Sequence, residues 1–94
     1  MEQLSKLDTN KKYVIYGYGV VGKIIYDILS IPNITFVDQK RDIISEKVYH
    51  PEDLKNMEYD FIIISVLGRE YEIESYLISK FNINKDRLIK LYIE

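Results

Sequence analysis

The sequence predicts an α/β domain on a mostly parallel sheet, with strand order 3-2-1-4-5 and helices on both faces. Three observations carry that expectation. A short apolar run, Tyr13-Val14-Ile15-Tyr16, breaks into glycines at positions 17, 19 and 22 and restarts as an amphipathic stretch. A second run, Ile34-Thr35-Phe36-Val37, ends in Asp38. A third, Phe61-Ile62-Ile63-Ile64, is apolar throughout rather than alternating, as expected of a strand covered on both faces of a parallel sheet.

Residues 1–12 are polar apart from Met1, Leu4 and Leu7 and close on the turn-like Thr9-Asn10-Lys11-Lys12, so they are expected to be an N-terminal extension to a domain spanning 13–94. The first strand is β-branched and aromatic. After the glycines, Val21, Ile24, Ile25, Ile28 and Leu29 fall at i, i+3, i+4, i+7 and i+8, which predicts a helix that buries that face. Ile31-Pro32-Asn33 stops it. The connection after Asp38 is short, with Ile43 and Ile44 as loop anchors, and Lys47-Val48-Tyr49 is a short third strand. Pro51 suits a first helical position and Glu52 and Asp53 a first turn, so His50 is expected to sit at a helix start rather than act as a base. Glu70 to Phe81 reads as a helix with Ile73, Leu77, Ile78 and Phe81 on its buried face and Glu70, Glu72 and Glu74 crowding its start. Asn82 or Asn84 ends it, and the alternating stretch from Arg87 to Ile93 is expected to be an edge strand.

Composition narrows the function classes. With 94 residues the chain makes one domain, too short for a cofactor domain and a separate catalytic domain together. A net charge of −2 without a basic block argues against a nucleic-acid surface. With no cysteine and one histidine, neither a thiolate metal site nor a zinc site is expected. No apolar stretch approaches a membrane span, and the expectation is a soluble, cytoplasmic protein.

The glycine spacing carries the chemistry. Gly17, Gly19 and Gly22 form the G-x-G-x-x-G of Rossmann-like, three-layer nucleotide folds. Gly17 allows the turn off the strand, Gly19 lets the backbone approach a phosphate, and Gly22 lets the helix pack on the sheet. The N–H groups of Val20, Val21, Gly22 and Lys23 then face an anion at the positive end of the helix dipole. Asp38, 21 residues after Gly17, lies near the offset of about 20 at which an acidic side chain takes a ribose hydroxyl. The later helix starts, Pro51-Glu52-Asp53 and Glu70-Tyr71-Glu72, are acidic and would repel phosphate. Tyr18, inside the glycine turn, is placed to cover a ligand. Ser65, Gly68 and Arg69 follow the central strand at the switch point and are candidate further contacts, the alternative being a turn glycine and a solvated arginine. Lys40 and Arg41 read first as a solvated loop; in a ligand role one would stack on a base or meet a 2′-phosphate, and Asp38 argues against the phosphate. No catalytic constellation is present.

The run Tyr16-Gly17-Tyr18-Gly19-Val20-Val21-Gly22-Lys23, then Phe36-Val37-Asp38, His50-Pro51-Glu52-Asp53-Leu54 and Tyr59-Asp60-Phe61-Ile62-Ile63-Ile64, resembles a known Rossmann-like module. That module is the N-terminal nucleotide-binding domain of bacterial sialic-acid-type sugar acyltransferases and of nucleotide-sugar dehydratases or epimerases of polysaccharide biosynthesis. The resemblance spans residues 11–93 and implies that Gly17, Gly19, Gly22 and Asp38 hold the nucleotide part of a sugar nucleotide. The acyltransferase repeat region that follows the module in those proteins is absent from this sequence, and the loop after Asp38 is shorter. The implied function is therefore a non-catalytic nucleotide-binding module for a UDP-sugar or NAD, working as a homo-oligomer or with a partner enzyme domain. Potassium-channel regulatory and NAD-sensing domains share the glycine signature, which keeps a structural or regulatory dimerisation module as the alternative.

Overall fold

The structure is a computed structural model describing residues 7–8, 10–29, 34–40 and 48–90. The expectations for 31–33, 41–47 and 91–94, among them the helix stop, the isoleucine loop and the end of the last strand, lie outside the described residues. In chain order the elements are β1 (Tyr13–Tyr16), α1 (Val20–Leu29), β2 (Ile34–Val37), β3 (Val48–Tyr49), β4 (Phe61–Ile64), α2 (Glu70–Phe81) and β5 (Leu88–Lys90). Two 3-10 turns, Pro51–Asn56 and Lys85–Arg87, precede β4 and β5.

The five strands form one parallel sheet in the order β3-β2-β1-β4-β5. β1 lies at its centre, with Tyr13 opposite Ile34 on one side and Phe61 on the other. Alternate side chains of the central strands therefore serve two cores. Val14, Tyr16, Ile62 and Ile64 pack with Ile73 and Leu77 of α2. Tyr13, Ile15 and Ile63 pack with Ile25 of α1. This two-sided burial is why β4 carries an unbroken apolar run. Lys12 ties the entry of β1 to that of β4: its N–H donates to the Asp60 carboxylate (2.8 Å) and its carbonyl accepts from the Asp60 and Phe61 amides.

Four local expectations change. Ile24 and Ile28 were expected in the core, but α1 turns them to solvent, 45% and 52% exposed, and buries Gly22 and Ile25 instead. The helix is rolled by Gly22, whose lack of a side chain lets α1 sit on the glycine turn. Glu74, read with Glu70 and Glu72 as crowding the helix start, is instead buried against Lys90 of β5 at 3.1 Å. Arg87 belongs to a 3-10 turn rather than to β5, because its guanidinium reaches back to the carbonyls of Tyr59 and Asp60 and lies 4.2 Å from the Tyr59 ring centroid. The stretch after His50 is a six-residue 3-10 turn, capped by His50, whose Nδ1 accepts from Glu52 N–H while Asp53 accepts from His50 N–H. Asn82 ends α2 in the left-handed conformation at φ 55°.

Candidate functional site

The carboxyl ends of β1, β2 and β4 meet where the chain leaves β1 toward one face of the sheet and β4 toward the other. Ligands of open α/β sheets bind at such a switch point. Gly17 takes φ +110°, and a Cβ there would stand 2.8 Å from Ser65 Oγ and from a Val66 methyl, so only glycine turns this corner without strain. A Cβ on Gly22 would overlap the carbonyl oxygen of Gly17. These two glycines are required by the packing of the turn itself.

Gly19 is different. A Cβ added there meets no atom of the described residues within 4 Å, and its φ lies outside the left-handed region. It caps α1: the Lys23 N–H donates to the Gly19 carbonyl at 3.1 Å, so the N–H groups of Val20, Val21 and Gly22 precede the first bonded turn and have no intrahelical acceptor. No acid lies in that first turn. Among the described residues the positive end of α1 is thus open.

Asp38 joins this turn from the end of β2. One carboxylate oxygen accepts the Tyr18 N–H at 2.9 Å, the other the Lys40 N–H at 2.8 Å. Gly17 N–H donates to the Val37 carbonyl at 2.8 Å, which extends the β1–β2 pairing into the turn. Ser65 is buried, and its hydroxyl lies 2.8 Å from the Tyr16 carbonyl and 3.1 Å from that of Gly17, so it donates into the turn and holds it against β4. A cleft of about 380 Å³ lies over the assembly. It is bounded by the turn residues Gly17 to Val21, by Asp38 and Lys40, and by Ser65 and Val66.

Of the residues singled out in the sequence, Gly17, Tyr18, Gly19, Val20, Val21, Asp38 and Ser65 come together around this cleft. Gly22 underlies it as packing. Lys23 lies one helical turn on, with its ammonium 4.7 Å from the Tyr18 ring centroid. Gly68 is not part of the cleft; it is an exposed turn residue at φ +87°, its N–H held by the Glu70 carboxylate. Arg69 is held by a two-bond fork to Glu72 at 3.0 and 3.1 Å and lines a neighbouring cavity.

That cavity, about 220 Å³, lies where the chain leaves the carboxyl end of β2. It shares Asp38, Lys40 and Val66 with the cleft and adds Tyr16, Gln39, Arg69 and Ile73. Burial is the main cause that pushes the Tyr16 phenol up to about 12, with the nearby Tyr76 and Asp38 adding to it and a hydrogen bond with Gln39 opposing it. The position of Gln39 directly after the acidic end of β2 was the available sequence clue. Among the described residues no cluster of His, Cys, Asp and Glu can hold a metal ion, and no helix is long and apolar enough to cross a membrane.

A glycine turn at the switch point of a parallel sheet, opening onto a helix N-terminus, defines an α/β domain of the Rossmann-like class. The chain matches the family described as C2185-like, N-terminal, over residues 9–89, and it belongs to that family. No curated protein matches it.

Proposed function

We propose that this domain is a non-catalytic nucleotide-binding module, holding a nucleotide sugar or a dinucleotide, with a UDP-sugar and NAD as the ligands to try first. The observation that carries the reading is Gly19, a glycine that neither packing nor backbone angle requires, at the mouth of an acid-free helix N-terminus. Phosphate oxygens would accept from the N–H groups of Val20 and Val21, and the carboxylate of Asp38, which has lone pairs beyond the two bonds it accepts, would take a ribose hydroxyl. The sequence resemblance extends the proposal to a cytoplasmic role in bacterial saccharide biosynthesis, beside a partner enzyme domain or as a homo-oligomer.

Thermal unfolding against NAD, NADP, AMP, UDP, CoA and several UDP-sugars tests it. A ligand at about 100 times its dissociation constant adds roughly 2.7 kcal/mol, on the order of 10 °C in a domain of this size. Gly19→Ala should cost the unliganded fold no more than about 1 kcal/mol, the loss expected at a helix cap, and abolish the shift, because the new methyl occupies the space of the approaching phosphate. No shift with any compound overturns the reading. A second reading, a dimerisation module, draws on the exposed row Val20, Ile24 and Ile28 of α1. It predicts a dimer by sedimentation whose association Gly19→Ala leaves unchanged.

A further inference from the structure

A groove of about 700 Å³ is lined by residues of α1, β2 and β3 and shares Tyr18 with the cleft at the glycine turn. It is lined by the aromatic residues Tyr18, Tyr26, Phe36 and Tyr49, with Lys23, Asp27 and Thr35 beside them. Tyr18 stands edge-on to Phe36 at 4.9 Å between centroids, and Tyr26 lies 5.6 Å from the same ring. Tyr26 and Tyr49 are 46% and 45% exposed, although both present large apolar rings. Exposed aromatic faces interleaved with hydrogen-bonding groups suit a sugar ring: its C–H faces lie against aromatic rings while its hydroxyls need donors and acceptors at the edge.

The three cavities form a series. Asp38, Lys40 and Val66 are shared by the 220 Å³ cavity and the 380 Å³ cleft, and Tyr18 is shared by that cleft and the 700 Å³ groove. A nucleotide sugar has the same order of parts, with base and ribose at one end, phosphates in the middle and a sugar ring at the other. We infer that the aromatic groove is a carbohydrate subsite, which takes the sugar of a nucleotide sugar whose phosphates lie at the glycine turn. Lys23, one turn into α1 and over the Tyr18 ring, stands at the boundary where the last phosphate meets the sugar. The inference rests on the nucleotide reading and narrows its ligand from any dinucleotide to a glycosylated nucleoside diphosphate.

Titration calorimetry of matched pairs tests it: UDP against UDP-glucose and UDP-N-acetylglucosamine, and ADP against ADP-glucose and NAD. At least one sugar conjugate should bind about fivefold or more tightly than its own diphosphate, on the order of 1 kcal/mol. Tyr26→Ala should erase that gain and leave the affinity for the bare diphosphate unchanged, since Tyr26 is not among the residues bounding the phosphate cleft. Tyr26→Phe should keep it. Diphosphates that bind with no gain from any sugar, or a gain that survives Tyr26→Ala, overturn the carbohydrate subsite while the nucleotide reading stands. A gain confined to NAD places a second nucleoside beyond Tyr18 and overturns it equally. Failure of every diphosphate to bind overturns both.

Discussion

The turn after β1 and the turn after β4 occupy matching places in the fold, yet they differ in what they can receive. Each follows a central parallel strand, each contains a glycine with positive φ, and each leads into a helix of at least ten residues. After β1 the helix begins with no acid, and its cap is a glycine facing open space. After β4 the helix begins with Glu70 and Glu72, whose carboxylates hold the Gly68 N–H and the Arg69 guanidinium. The second helix start has supplied its own anions. Backbone topology makes both ends of the switch point eligible for a phosphate, and side chains in one helical turn decide which remains open.

The largest effect should come from the packing that only the first turn has. Gly22→Ala drives a methyl into the Gly17 carbonyl and should cost about 3 kcal/mol of unfolding free energy by urea denaturation. Gly68→Ala, where only the positive φ resists, should cost about 1 kcal/mol. Equal losses at the two sites would remove the contrast between a packed and an unpacked turn.

Next in size is charge at the open helix start. Val20 is 76% exposed, so Val20→Glu should leave the fold intact while it gives α1 the acidic opening of α2. Affinity for whichever nucleotide binds the parent should fall about tenfold, or about 1.4 kcal/mol. Unchanged affinity would mean that the helix end is not where the phosphates lie. Ser65→Ala should cost about 1 kcal/mol, since it removes one buried donor and leaves the carbonyls of Tyr16 and Gly17 without it. A loss of ligand affinity without loss of stability would instead make Ser65 a direct contact.

The smallest effect lies away from both turns. Hydrogen bonds from Lys80 and then Lys55 lower Glu52 to about 2 from an ordinary 4.5, and so link the turn before β4 to α2. A depressed carboxyl stabilises the fold above its unfolded value and loses that contribution as pH falls from about 4.5 through about 2. The acid limb of a stability-against-pH curve should therefore be shallower in Glu52→Gln. Because the group is exposed, 0.5 M salt should shrink the difference between the two proteins. A difference that persists in salt would show that the ion pairs of Glu52 with Lys80 and Lys55 are shielded from solvent.

Much of the candidate site is legible in the sequence, because glycine spacing, strand periodicity and the acidic end of a strand are local properties of the chain. The same locality set the errors. Ile24 and Ile28 satisfy helical periodicity as well as Ile25 does, and nothing along α1 says which side meets the sheet. Glu74 reads along the chain as one more acid at the helix start, and its partner Lys90 lies on a different element. The cavity at Tyr16 and Gln39 joins the end of one strand to the loop after another, so no single segment announces it.

By itself the sequence determined the parallel α/β architecture and its strand order, since apolar runs, their lengths and the short connections between them leave few sheets to build. It also determined the glycine turn and the acidity of each helix start. The tertiary structure decided the rest: the roll of α1 on Gly22, the burial of the Glu74–Lys90 pair, and the distinction between Gly17 and Gly22, which packing requires, and Gly19, which it does not. It also brought together cavities that share Asp38, Lys40 and Val66, or Tyr18, in their walls. These depend on distances between residues far apart in the chain, which periodicity and spacing do not encode.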